Sequence, residues 1–216
     1  MKKGDIVHCT VTAIKPYSID VVIKTDDARN CGSIYISRIA KQYIEDIHDV
    51  ITIGQNAFEG CSINQTIELN KCTNIGSEAF KNCSNLEKIS LPKVTTISKR
   101  TFNNCYSLIS ISAPDATKID DEDEGDWNNE GGTFKNCLAL TEISLPQITY
   151  IGKKAFYECQ NLTTVDAPLV KQIKDYAFFD CTSLKKITTD CVTEVGNHTF
   201  ENCSSISNIA MPNVTI

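Results

Sequence analysis

Eleven cysteines and three histidines are the side chains of this chain best suited to nucleophilic or metal chemistry. A catalytic thiol needs a neighbouring histidine or another cation to hold it as thiolate. His8, His48 and His198 stand in no motif that supplies one, so no residue is assigned a catalytic role and the chain is not read as an enzyme. No C-x-x-C pair occurs, which argues against a structural zinc site. Seven cysteines (Cys61, Cys83, Cys105, Cys137, Cys159, Cys181 and Cys203) recur every 22 residues, with one step of 32. Free cysteine packs as a small hydrophobe, so this column is read as reduced thiols in a core. Cys9 and Cys31 stand outside it and are the two cysteines singled out for reactivity.

A second candidate is IDDEDEGDWNNEGGTF, with seven acidic residues between Asp120 and Glu130 and no basic one. Such a block forms a solvated loop. Its match to a calcium loop is poor, because the glycine falls early and no glutamate stands at the twelfth position. No metal and no cofactor is assigned. Trp127, within the block, is a candidate anchor for a partner.

The bulk numbers fit a soluble globular chain, with 41% apolar and 22% charged residues over 216 positions. A net charge of −6 gives no global case for nucleic acid or an anionic membrane. No apolar run approaches membrane-spanning length, and MKKGDIVHCT has no apolar stretch behind its lysines. A cytoplasmic location is therefore expected, and a surface location only if the natural chain is longer.

The elements that would position these side chains follow from self-similarity. Phe58, Phe80, Phe102, Phe134, Phe156, Phe178 and Phe200 keep the cysteine step, each three positions ahead of a cysteine. The unit is clearest in IGSEAFKNCSNLEKISLPKVTT, Ile75 to Thr96, and seven units align from Ile53 to Ile216. In each, the small residue before Phe suits a tight helical turn. Asn82, Asn104, Asn136 and Asn202 precede cysteines where a chain leaving that turn uses left-handed geometry. LEKISL alternates like a half-buried strand, and a proline follows at the strand end. One unit cannot bury its apolar face alone, whereas stacked units bury a continuous core.

The pattern IGxxAFxxCxxLxxIxLP resembles the BspA-like leucine-rich repeat family over residues 53–216. That resemblance implies a right-handed α/β solenoid of about seven 22-residue units with a parallel sheet as concave wall. Residues expected to face out from that wall are Lys88, Ser90, Ser110, Ser112, Glu142, Ser144, Thr164, Asp166, Lys186, Thr188, Asn208 and Ala210. Repeat four carries the acidic insertion, at 120–132. Residues 1–52 lack the repeat. GDIVHCTVTAI, PYSIDVVI and CGSIYIS predict three strands and resemble the opening of the S-one-type RNA-binding domain, an OB-fold barrel. The strands that would close such a barrel are missing, so this segment is expected to dock on repeat one as a β-rich cap.

Two functions follow from these resemblances. The first is a non-catalytic scaffold binding an unknown protein partner through the concave wall and Trp127. The alternative is a single-stranded RNA-binding module in which Tyr17 and Tyr35 stack bases and Arg38 meets phosphate. Against the alternative, Asp20 stands in place of the family's second aromatic, and residues 1–52 hold seven basic and seven acidic side chains. A last strand at ISNIAM would leave an open edge, where self-association is expected.

Overall fold

In the computed structural model, residues 9–15, 18–23, 31–34, 52–63, 66–120, 131–207, 209 and 211–214 are described. Three antiparallel strands come first: β1 (Cys9–Lys15), β2 (Ser18–Ile23) and β3 (Cys31–Ile34). Two-residue and three-residue strands then alternate. They are β4 (Thr52–Ile53), β5 (Thr66–Glu68), β6 (Asn74–Ile75), β7 (Lys88–Ser90), β8 (Thr96–Ile97), β9 (Ser110–Ser112), β10 (Lys118–Ile119), β11 (Glu142–Ser144), β12 (Tyr150–Ile151), β13 (Thr164–Asp166), β14 (Gln172–Ile173), β15 (Lys186–Thr188) and β16 (Glu194–Val195). Each strand pairs in parallel with its counterpart one repeat away, so the chain winds as a β-solenoid. β1 lies parallel to β4 through Val11 and Ile53, which sets the first three strands in the sheet of repeat one.

The expected helical turn around each phenylalanine is built differently. The described residues hold no helix, and the segment is a run of hydrogen-bonded turns. Two residues per repeat take a left-handed backbone, two before and two after the phenylalanine. After it stand Asn82, Asn104, Asn136 and Asn202, with φ between 59° and 62°, as their tolerance of this region predicts. Their side chains also form a ladder: Asn104 Nδ2 donates to Asn82 Oδ1 and Asn136 Nδ2 to Asn104 Oδ1, both at 2.9 Å. Before the phenylalanine, Glu78, Arg100, Lys154 and Tyr176 adopt φ of 56° to 61° with no such intrinsic preference. Links to the next repeat impose that conformation: Glu78 N–H donates to Lys99 O at 3.1 Å and Tyr176 N–H to Asn197 O at 3.0 Å.

The core is a set of columns. The seven phenylalanines stack along the axis with centroids 5.1–5.8 Å apart. Each such contact adds about 0.5–1.5 kcal/mol beyond burial. Cysteine is there for more than its volume. Cys83 Sγ donates to Phe58 O at 2.9 Å, and Cys105, Cys137, Cys159, Cys181 and Cys203 repeat the bond to the phenylalanine carbonyl of the preceding repeat. All seven column thiols are free.

The sheets are broken at two steps. On the two-residue side, β6 and β8 do not pair, and Ser98 stands where Gly76, Gly152 and Gly196 have glycine. Its hydroxyl donates to Ile75 O at 2.5 Å, in place of the N–H that Gly76 gives to Ile53 O at 2.8 Å. On the three-residue side, β9 and β11 do not pair, which divides that sheet into β5-β7-β9 and β11-β13-β15. This break coincides with the inserted repeat, where the Phe102 and Phe134 rings are tilted by 14° against 2–8° elsewhere in the stack. The expected last strand at ISNIAM is not formed by its described residues. Ser207, Ile209 and Met211 belong to no strand, and Ile209 and Met211 lie partly buried against the core.

Two predictions follow. Burial raises the column thiols from an ordinary 9.0 to about 12 for Cys105 and Cys159 and about 11 for Cys203. The folded state holds these protons after the unfolded chain has lost them. Stability is therefore full below pH ~9 and falls by about 1.4 kcal/mol per pH unit per thiol above it. Urea midpoints measured between pH ~8.5 and ~10.5 will drop steeply, and a flat profile would refute the burial of these thiols in protonated form. The second concerns Thr189, which stands where Leu69, Leu91 and Leu145 have leucine and whose buried hydroxyl has no hydrogen-bond partner among the described residues. Thr189→Val removes that orphan and is expected to stabilise by about 1–3 kcal/mol, seen as a raised Tm; an unchanged or lower Tm contradicts it.

Candidate functional site

In a strand of three residues the middle side chain turns to the core and the outer two face solvent. Ile89 and Ile143 are buried accordingly, while Lys88, Glu142, Ser144 and Lys186 are exposed and Ser90, Thr164, Asp166 and Thr188 are half-buried. The ladder register aligns these outward residues in rows. Lys88 sits opposite Ser110, and Ser90 opposite Ser112. In the second panel Glu142, Thr164 and Lys186 form one row, and Ser144, Asp166 and Thr188 the other. The structure therefore brings the wall residues named from sequence onto one side, but as two panels and not one continuous wall.

The surface chemistry is polar and adaptable. Ser144 Oγ donates to Asp166 Oδ2 at 3.3 Å. Lys88, Glu142 and Lys186 form no ion pair among the described residues. Neighbouring strands lie about 4.7–4.9 Å apart, which presents these groups as a shallow grid. Of the other residues named from sequence, Trp127, Tyr17, Tyr35 and Arg38 lie outside the described residues, as do Asn208 and Ala210.

Three features were not foreseen. Tyr106 and Ile109 are exposed large apolar groups beside the wall. Tyr150, on the opposite sheet, carries Lys118 Nζ 5.2 Å and Lys174 Nζ 5.7 Å from its ring centroid. Those lysines also pair with Asp120 at 2.7 Å and Glu194 at 2.5 Å, so the cluster satisfies itself. A further aromatic group joins Tyr157 to Phe179 and Tyr176 to His198, each stacked at 4.8 Å. All of these lie in columns whose residue type changes from repeat to repeat. Only reading the chain in 22-residue steps, with allowance for the insertion, sets Lys118, Tyr150 and Gln172 side by side.

The thiols are poor nucleophiles here, since burial pushes them up and away from the thiolate form. Cys191 is the exposed exception among the described cysteines, in the turn after β15; the side chains of Cys9 and Cys31 are not described. His198 Nδ1 contacts Glu201 Oε2 at 2.5 Å, and the nearby Cys203 gives its hydrogen bond to Phe178 O. No group of three metal-ligating side chains occurs among the described residues, and they contain no helix long and apolar enough to cross a membrane.

A search of curated proteins returned no match. Among solved structures, a leucine-rich repeat protein from T. pallidum is 26% identical with a TM-score of 0.64, covering 74% of this chain and 73% of that one. A second, from Eubacterium ventriosum, is 20% identical with a TM-score of 0.49 over 77% of this chain and 38% of its own length. The BspA type leucine rich repeat region matches residues 37–122 and 130–216 in six copies, which leaves out only part of the acidic insertion in between. The chain belongs to the BspA type leucine rich repeat family.

Proposed function

We propose that the protein is a non-catalytic interaction scaffold that binds a protein partner through the wall of three-residue strands. The observation that carries this reading is the wall itself: outward charges and hydroxyls held in register on a backbone that the solenoid keeps rigid, with Lys88, Glu142 and Lys186 in no ion pair among the described residues. A shallow grid of this kind encloses no small molecule, which needs a concave and mostly apolar pocket. It matches the polar, charge-complementary face of another protein. Family membership supports a scaffold role, because repeat solenoids present extended surfaces for binding. The expected partner is therefore a protein of complementary charge pattern, bound without chemistry.

The test reverses charges on the wall. Lys88→Glu, Glu142→Lys and Lys186→Glu are exposed changes and are expected to leave Tm within a few degrees. Proteins crosslinked to the wild type should be lost from these variants. Lys93→Glu makes the same charge change in the exposed turn after β7 and serves as control. Equal crosslinking by the wall variants and the wild type would remove the wall as binding face.

A further inference from the structure

The two panels of the wall stand side by side, and the bonds that should join them can be named from the other steps. Just after a three-residue strand, an N–H reaches forward to the next repeat: Leu91 to Ser112 O at 2.7 Å, Leu145 to Asp166 O at 2.8 Å and Ala167 to Thr188 O at 3.1 Å. Just before such a strand, an N–H reaches back: Ile109 to Glu87 O at 2.8 Å, Thr163 to Thr141 O at 2.7 Å and Lys185 to Thr163 O at 2.9 Å. Between β9 and β11 the corresponding donors are Ala113, for Ser144 O, and Thr141, for Ile109 O. Neither makes its bond, and neither N–H has another partner among the described residues. Cα atoms of β9 and β11 nevertheless lie within 8 Å of each other, so no third strand fits between them. The opening is also short. Ala139 N–H still donates to Tyr106 O at 3.0 Å ahead of it, and Thr149 N–H to Thr117 O at 2.8 Å beyond it.

Ala113 decides what this opening means. Thr141 is exposed and its N–H is within reach of water, whereas Ala113 is only 2% exposed. A buried N–H without an acceptor is rare and costly, and the acceptor it lacks stands on the adjacent strand. Ile111, half-buried where Ile89 and Ile143 are buried, adds apolar surface that the same movement would cover. The Phe102 and Phe134 rings, 14° apart, show this step turned slightly. Each panel is fixed internally by its own ladder, so a small turn about the phenylalanine corner is the motion left between them.

We propose that this step is a closure built into the wall. Turning repeat four against repeat three pairs β9 with β11, satisfies Ala113 and Thr141, buries Ile111 and joins the two panels into one six-stranded sheet. In the closed register Ser110 stands opposite Glu142 and Ser112 opposite Ser144, as the ladders on either side dictate. Lys88, Ser110, Glu142, Thr164 and Lys186 then share one row. The open wall is divided and shows Ile111; the closed wall is continuous and hides it. The wall is thereby a surface with two states, a property that does not depend on which molecule binds it.

The experiment is amide exchange on the full chain, with a removable clip across the step. Ser112→His combined with Ser144→His places two imidazoles opposite each other in the closed register, and nickel ion is the probe. Without the clip, Thr141 and Ala113 should exchange on the order of 100-fold faster than their bonded counterparts Thr163 and Leu91. Nickel bound to the double variant should slow both at least about tenfold, and chelation should restore them. Ser90→His combined with Ser112→His sets the same pair across a step already joined, where nickel should leave Thr141 and Ala113 unchanged. The wild type with nickel accounts for its own histidines. Exchange of Thr141 and Ala113 as slow as that of Thr163 and Leu91 in the wild type overturns the proposal, because the step is then closed already. Nickel that binds the Ser112 and Ser144 pair without slowing them also overturns it, since the opening is then fixed. So does nickel that binds the control pair alone, since β9 and β11 then never come into register. No partner enters these measurements, so loss of the wall as binding face would leave their outcome unchanged.

Discussion

The phenylalanine carbonyl is the joint on which the rest of the solenoid depends. Phe80 O accepts the N–H of Cys83 in its own turn and the S–H of Cys105 in the next, each at 3.1 Å. Phe80 N–H meanwhile donates to Thr101 O, also in the next repeat, at 2.9 Å. One residue thus closes its own turn and fastens the following repeat from both ends of its peptide unit. The side chain adds a stacking contact in the same direction. A change in length between Phe and Cys would break all of these bonds together, which explains why the one insertion falls ahead of Phe134 and not between Phe134 and Cys137. Burial is what makes the thiol serviceable: it remains a protonated donor because the interior disfavours its charge.

The ten extra residues of repeat four show where the solenoid tolerates insertion. They enter after Asp120 and rejoin near Gly131, in the corner ahead of the phenylalanine. Phe102 N–H still reaches Thr133 O at 2.9 Å, and Cys137 Sγ still reaches Phe102 O at 3.3 Å. The two-residue strands also pair straight across the step, Lys118 with Tyr150 and Ile119 with Ile151. The wall is the side that yields. A repeat held firmly at the phenylalanine corner and at one sheet, but turned slightly about them, separates on its third side. In a protein whose stability is a sum of repeats and their interfaces, this step does without the ladder of the three-residue strands.

What could be read from residue types follows from how local each cause is. Asn82 and Asn104 announce a left-handed backbone because their own side chains tolerate it, and proline marks a strand end because it lacks a donor. Glu78 and Tyr176 give no such notice, since their left-handed backbone is imposed by hydrogen bonds from a repeat 22 residues further on. The same distance hides the thiol donors: in sequence a buried cysteine looks like a small hydrophobe, and its acceptor lies 25 residues behind it. The missing pairing of β9 and β11 was the least legible feature, because the insertion follows Asp120 in sequence whereas Ile111, the residue left half-buried, stands nine residues before it. The wall residues, by contrast, were legible by alternation alone, since Ile89 inward requires Lys88 and Ser90 outward.

That alternation also limits what the wall can do. Each repeat contributes two outward side chains, and the core columns leave no freedom for more. The residues found there are serines, threonines and a few charges, groups whose exposed contacts are individually weak. Specificity can arise from such a grid, because a wrong charge opposite Glu142 or Lys186 is penalised, but strong affinity needs an apolar centre that sheds water. Ring stacking cannot supply one on this side, since the described aromatic pairs lie in other columns. At the step where β9 and β11 do not pair, Ile111 is half-buried, in the segment that also exposes Tyr106 and Ile109. A fully paired step would bury that isoleucine as Ile89 and Ile143 are buried, so apolar surface on this side arises where the repeat register is disturbed and not from the repeat pattern itself.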